Sequence, residues 1–512
     1  MSDEKIISGF GERLALENEV RALADASNVF ELERRARDLA QQGEKVLNAI
    51  LRQLDTHDAQ MRGGLGLTAQ YMDPMLIIPA LRRVVADGRR SNDARLTAAM
   101  ILQRYLDVEL DPTLAQALPD SSDVARQSAT EALSLAENEP LVMVEYAEQL
   151  LEESDEVIAT VIDVLMRMED PRRASLLMVI ASYAGSAIVA HILPTLGAIR
   201  HTHSLYALLV LSHLVEPALR PAIERQVRKL QLAGVRPDAT TSLRVLWSPV
   251  NAQGQSLLQV IRYHPQSESA DFLALVLHDD MGIIHAEAKM QIDPAELPQP
   301  APKGYVHGIH TAGSHYVLRM LELDPEQGRD LLDTAVAQLR EQDIPWPGEL
   351  LVYGHWLWSD KIRKRPASVS HELPAPASSD HDSDFQDLLK HRVFASWAWD
   401  VPDLQHLLQN EDVAFALEKG SEAHQAISER LVGKEAENLA RRLGQQALWL
   451  TLANDTETAA LVLSARDAVL DAQVDHPFIQ ALAWRSLLTA VADQATRRSL
   501  RLLPREEPTS DQ

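Results

Sequence analysis

Asp73-Pro74-Met75-Leu76-Ile77-Ile78-Pro79-Ala80-Leu81-Arg82-Arg83-Val84-Val85-Ala86-Asp87-Gly88, followed by Arg89-Arg90-Ser91-Asn92-Asp93-Ala94-Arg95-Leu96-Thr97-Ala98-Ala99, is the stretch whose reading decides the fold. Asp73 supplies an N-cap and Pro74 a first-turn proline, whose missing N–H costs nothing there. Ile77, Ile78, Leu81, Val84 and Val85 then fall at helical spacing and form one face. Asp87-Gly88 ends that helix, and Ser91-Asn92-Asp93 offers caps for a second. There Ala94, Ala98, Ile101, Leu102 and Tyr105 make the apolar stripe. Neither helix buries its stripe alone, so the pair must lean on neighbours.

Working outward, residues 20–235 read as consecutive amphipathic helices. Arg62, Arg95 and Arg126 each stand early in the second helix of a pair, at intervals of roughly 30 residues. Asp170-Pro171-Arg172-Arg173 opens another such helix. Between Arg173 and Arg200 there is no Asp, Glu, Lys or Arg, a span long enough to cross a bilayer. Gly185-Ser186 divides it, however, and His191 and Pro194 interrupt its second half. Two deeply buried helices, Arg172–Ala184 and Ala187–Ile199, are expected instead of a membrane span.

The run Ile78-Pro79-Ala80-Leu81, a hydrophilic turn and then Asp93-Ala94-Arg95-Leu96-Thr97-Ala98-Ala99 resembles the HEAT-repeat family, and so does Leu193-Pro194-Thr195-Leu196 followed by His203–Leu214. The resemblance, to short HEAT repeats of the type found in phycobilisome lyases, covers about residues 40–235. It implies an α-α superhelix in which second helices line a concave face. On that reading Arg62, Arg95, Arg126 and Arg173 form a row able to grip an acidic or extended peptide through bidentate carboxylate pairing. The other reading is that each arginine bonds its neighbouring repeat's aspartate and only staples the stack. HEAT-like DNA glycosylases cradle DNA against basic and aromatic side chains, but all eight tryptophans here lie at 247 or later. From the lyases no functional residue carries over.

Near residue 240 the period changes. Leu243, Val245 and Trp247 alternate with Arg244, Leu246 and Ser248, and Ile284, Ala286, Ala288, Met290 and Ile292 alternate with polar residues. Residues 243–292 therefore read as a four-stranded antiparallel meander, although Ala286-Glu287-Ala288-Lys289-Met290 has helical propensity. Pro294, Pro298, Pro300 and Pro302 make a stiff connector, and helices are expected to resume from 304. Asp324-Pro325-Glu326-Gln327 resembles a capping box. The expected organisation is mainly α: a helical repeat domain over 1–240, meander and connector over 241–303, a helical segment over 304–362, a polar linker over 363–384 and a C-terminal helical region over 385–512.

The densest concentration of metal-ligating side chains is Tyr305 to Tyr316, with His307, His310 and His315. Three imidazoles suit zinc or another divalent metal. The spacing fits no standard zinc motif, and the competing reading is a polar helix start with one histidine capping and two in water. His278-Asp279 and His381-Asp382 resemble the dipeptide of metal-dependent phosphohydrolases but lack that family's further helical positions. No phosphate loop, dinucleotide fingerprint or serine elbow is present. Trp356-Leu357-Trp358 and Trp397-Ala398-Trp399 read as helix-packing aromatics.

The 512 residues contain no cysteine, which removes disulfides, thiol nucleophiles and cysteine zinc sites and fits a reducing cytoplasm. Lys+Arg is 49 against Asp+Glu 74, a net charge of −25. That sign opposes non-specific nucleic-acid binding. Met1-Ser2-Asp3-Glu4-Lys5 lacks the basic-then-apolar pattern of a secretory leader. The expectation is a cytoplasmic, non-catalytic scaffold that binds a protein or peptide, with no cofactor, nucleic-acid or membrane partner. The alternative is a metal-dependent or lyase-like enzyme with its site near His307, His310 and His315.

Overall fold

A computed structural model describes residues 15–26, 28–56, 58–110, 114, 121–237, 242–264, 267–310, 317–359, 373–377, 382–399 and 420–502. The chain is mainly helical with one small antiparallel sheet. It divides into two compact units, Met1–Glu131 with Asp155–Met168, and Ala132–Ser154 with Glu169–Gln512.

In the first unit four helices begin where a short polar side chain satisfies a free backbone N–H, while Glu44–Arg52 starts at Gly43 without one. Asn28 accepts from Glu31 N (2.9 Å), Asp58 from Met61 N (2.7 Å), Asp73 from Met75 N (2.9 Å) and Ser91 from Ala94 N (3.2 Å). Each cap contributes about 1 kcal/mol. The helices there include Val29–Ala40, Glu44–Arg52, Ala59–Tyr71, Pro74–Ala86, Asn92–Met100, which continues as a π-turn over Ile101–Tyr105, and Asp155–Arg167. Pro79 is accommodated inside its helix.

Alternate helices pack on one another: Val29–Ala40 on Ala59–Tyr71, that helix on the π-turn, and Glu44–Arg52 on Pro74–Ala86. Gln60 reaches the carbonyl of Ala26 (2.6 Å) at one end of the first contact. Tyr71 reaches Glu33 (2.6 Å) and Arg37 (3.2 Å) at the other, so these two helices run side by side in the same direction. Val46, Ile50, Leu65, Ile77, Leu81, Ile101 and Leu102 fill the core between them.

The second unit repeats the alternation. Val142–Leu151 packs on Arg173–Ala184, which packs on Thr202–Leu214, while Ser186–Leu196 packs on Arg220–Leu232. The uncharged span is thus two helices broken at Gly185, whose φ of +93° suits a residue without a Cβ. Among the described residues no helix is long and apolar enough to cross a membrane.

The sheet follows: β1 Ser242–Trp247, β2 Gln255–His264, β3 Ser269–His278, β4 Gly282–Ile292, β5 Val306–His310 and β6 Val317–Leu323, in the order β4-β3-β2-β1-β6-β5. The expected meander is β1 to β4. The expected helical segment from 304 is not what opens there: β5 and β6 form a hairpin that adds to the free side of β1, with Val245 paired to Val260 on one side and Leu323 on the other. The proline connector carries the chain from one edge of the sheet to the other.

Helix Pro325–Glu341 then opens with the capping box at Asp324 and Gln327 and lies on β1 and β4. It comes so close that a Cβ on Gly328 would stand 2.6 Å from Val245 Cγ1. Of the expected linker, 363–372 and 378–381 lie outside the described residues, and Asp382–Leu388 is helical. In the C-terminal region Ala436–Leu452 pairs with Thr456–Leu470, and Gly420–Leu431 with Pro477–Leu502. Trp358, Trp397 and Trp399 are buried, and the Trp397 indole donates to the Val250 carbonyl at 2.9 Å.

Candidate functional site

The histidine cluster does not converge. His307 stands on β5 and points into the protein, where its Nε2 lies 2.9 Å from Glu322 Oε2 on β6. Arg244 on β1 closes a fork on the same carboxylate, Nε to Oε1 at 2.8 Å and Nη2 to Oε2 at 2.7 Å. Its remaining N–H groups reach the Tyr263 hydroxyl (2.8 Å) and the carbonyls of Pro298 (2.6 Å) and Gln299 (3.1 Å). A bidentate arginine in a low-dielectric interior is a strong positioning device. Here it fastens the proline connector to the sheet. His310, three residues on from His307 in an extended strand, falls on the opposite side and is exposed. His315 lies outside the described residues. The strand replaces the expected helix start, and among the described residues no group of three His, Cys, Asp or Glu is placed to hold a metal ion.

The four arginines have different surroundings. Arg62, Arg95 and Arg126 belong to the first unit and Arg173 to the second. Arg62 and Arg126 are exposed, and among the described residues neither guanidinium makes a hydrogen bond or ion pair. Arg95 is half-buried and its Nε donates to the Val85 carbonyl at 3.1 Å, in the last turn of the preceding helix. That contact lies within its own helix pair and is made to a backbone carbonyl, not to a neighbouring repeat's aspartate. Arg173 is half-buried, and burial pulls its pKa down against the opposing pull of Asp170. The neighbouring Arg172 holds Asp170 through Nη2 at 2.7 Å and reaches Glu137 at 2.5 Å.

Three polar clusters were not apparent from sequence. Across the β2–β3 hairpin, Asp271 is buried and accepts from His264 Nε2 (2.5 Å), Arg262 Nη2 (3.3 Å) and Gln291 N (3.2 Å). Arg262 also lies over the Trp356 ring at 5.0 Å. At the β3–β4 turn Asp279 is held by Arg441 and Arg442. In the helical part His213 and Asp333 pair at 2.9 Å. The partners of Asp279 and of His213 lie far away in the chain, and those of Asp271 meet it only once the β2–β3 hairpin and β4 have paired. The one local signal is the spacing Arg329, Asp333, Arg340, which puts three charges on one helix face.

Comparison with protein-family models, with curated proteins and with solved structures finds no match.

Proposed function

We propose that the protein is a non-catalytic, cytoplasmic interaction scaffold whose helices form a HEAT-like solenoid that binds a protein or peptide. The observation that carries this reading is the side-by-side packing of alternate helices, 29–40 on 59–71 and 59–71 on the 101–105 turn, with Arg62 left exposed and its guanidinium unspent. Stacked helical pairs of this kind offer an extended surface rather than a cleft. Arg62 and Arg126 suit acidic side chains of an extended partner, because a free guanidinium fork matches a carboxylate. Arg95 is assigned to the stack, since its Nε is already committed to Val85. The net charge of −25 turns away nucleic acid.

The test is Arg62→Glu with Arg126→Glu, compared with Arg95→Ala, by partner capture with mass spectrometry and by thermal melting. The reading expects the charge-reversed protein to lose its captured partner at an unchanged melting temperature. Arg95→Ala should keep the partner and melt earlier. Undiminished capture by the charge-reversed protein would remove the acidic-peptide surface from consideration.

A further inference from the structure

The His278-Asp279 dipeptide, which lacks the company of a metal motif, closes the β3–β4 turn. His278 is the last residue of β3 and stands opposite Gly282, the first of β4. Its Nδ1 accepts from the backbone N–H of Asp280 and from that of Met281, each at 3.1 Å. An imidazole nitrogen that accepts carries no proton, so the ring is neutral with its hydrogen on Nε2. A proton on Nδ1 would replace the acceptor by a donor facing two other donors, and both bonds would be lost.

The same short turn fastens three other elements. Gln338 of helix Pro325–Glu341 donates to the Asp279 carbonyl at 2.8 Å, and Gln342, just past that helix, donates to the Asp280 carbonyl. Gly282 lies so close to the helix that a Cβ would stand 2.5 Å from the Ala335 carbonyl oxygen. The Asp279 N–H donates to the Gly254 carbonyl of the β1–β2 turn at 2.9 Å. Helix Ala436–Leu452 holds the Asp279 carboxylate through Arg441 and Arg442. A change of shape at Asp280 and Met281 is therefore felt by two helices and a second turn.

The charged groups about the ring come from the turn itself and from one helix. Asp279, whose Oδ1 is 3.6 Å from Nδ1, and Asp280 favour a charge on His278, while Arg442 and Arg441 oppose it. Gln338, Gln342 and Gln255, which pairs with His278 in β2, carry no charge. Burial is the largest influence and holds the His278 pKa below 6.5. Asp280 and Met281 are exposed, so solvent reaches the turn.

We propose that His278 is a pH-sensitive latch on the β3–β4 turn. Neutral, it holds the N–H groups of Asp280 and Met281. On taking one proton from solvent it releases both, its new Nδ1–H turns to Asp279 Oδ1, and the turn loosens from helix Pro325–Glu341. Because the pKa in the fold is lowered, the latch is closed above pH 6.5 and opens as pH falls through the lowered value.

The test is amide hydrogen exchange of the full chain at about pH 7.5 and at about pH 4.5, read by mass spectrometry and corrected for the intrinsic pH dependence of exchange. In the wild type, protection over 279–282 should fall about tenfold or more in acid, while that of 256–262 in β2 stays constant. His278→Asn keeps an acceptor for the N–H two residues on and does not titrate, so its turn should stay protected at both pH values. His278→Ala has no acceptor, and its turn should exchange fast at both. Should either variant fail to fold, the wild type decides alone: loss of protection must share its midpoint with the His278 Cε1–H resonance. Equal wild-type protection at both pH values, acid opening of His278→Asn as in the wild type, a turn in His278→Ala as protected as the wild type near neutrality, or two different midpoints would overturn the proposal.

Discussion

Asp279 and Arg442, far apart in the chain, form a buried ion pair: Nε to Oδ2 at 2.9 Å and Nη2 to Oδ1 at 3.2 Å, with the carboxylate wholly out of solvent. The pair ties the β3–β4 turn to helix Ala436–Leu452. Gly254 completes the arrangement. With φ of +84° and Asp279 Oδ1 only 2.0 Å from where a Cβ would be, no other residue fits there. Arg442 also reaches the Ala252 carbonyl at 2.6 Å and lies over the Trp399 ring at 4.8 Å.

Asp279→Ala is therefore expected to destabilise the protein by about 3–5 kcal/mol, because it strands a buried guanidinium. Replacing both partners, Asp279→Ala with Arg442→Met, should cost clearly less than the two single changes added together. Urea denaturation of the four proteins of this cycle gives the coupling; strictly additive losses would contradict the pairing.

A second substitution addresses the sheet interior. Arg244→Met leaves Glu322 buried with His307 alone, and a loss of about 3–5 kcal/mol is expected. The same change should free the proline connector at Pro298 and Gln299, whose carbonyls Arg244 holds. Limited proteolysis checks this: cleavage within 294–303 should accelerate in Arg244→Met and remain slow in the wild type.

His355 gives the protein a pH signature. Burial, reinforced by the nearby Arg262, lowers its pKa from 6.5 to about 3, while its Nδ1 donates to the Val352 carbonyl. A histidine kept neutral in the fold takes up its proton only on unfolding. Its contribution is complete above about pH 6.5 and is lost as pH falls from there toward 3, on the order of 4–5 kcal/mol in all. His355→Gln should reduce by about one the protons taken up on unfolding near pH 5, measured as the slope of stability against pH. An unchanged slope would mean that the imidazole is reached by solvent.

In the first unit the π-turn at Ile101–Tyr105 brings the Tyr105 ring to within 2.4 Å of where a Cβ on Gly66 would stand. Gly66→Ala is expected to cost about 1–3 kcal/mol through overpacking. Tyr105→Ser in the same chain should recover part of that loss, and thermal melting of both variants reports it.

Local chemistry was legible wherever the physics is local. Asp73-Pro74, Ser91 and the Asp324–Gln327 box start helices where their side chains dictate, and the two-residue alternation at 243–248 and 284–292, with the apolar runs between them, marks four strands. Strand β4 formed despite Ala286-Glu287-Ala288-Lys289-Met290, because pairing with β3 along its length outweighs helix propensity. Strands β5 and β6 were missed for a different reason. His307 and Glu322 occupy inward positions where the pattern calls for apolar residues, and they are tolerated only because they hydrogen-bond each other and Arg244 pairs with the carboxylate. A satisfied buried ion pair looks, in sequence, like an exposed stretch. The same holds for His213 with Asp333, where the partner arrives from a distant part of the chain, and for Asp271 with His264, where it arrives across the β2–β3 hairpin.

The strand order has a consequence for synthesis. β1 gains its first neighbour, β2, immediately, but its second, β6, is made only after β3, β4 and the proline connector. During that interval a four-stranded sheet leaves the ribosome with Val245, Leu246 and Trp247 on an open edge. Arg244 has by then met Tyr263, while Glu322 has yet to be translated. Unpaired edge strands are templates for the wrong partner. The nascent chain is accordingly most prone to aggregation between completion of β4 and arrival of β6, and any slowing of translation within 293–316 lengthens that exposure.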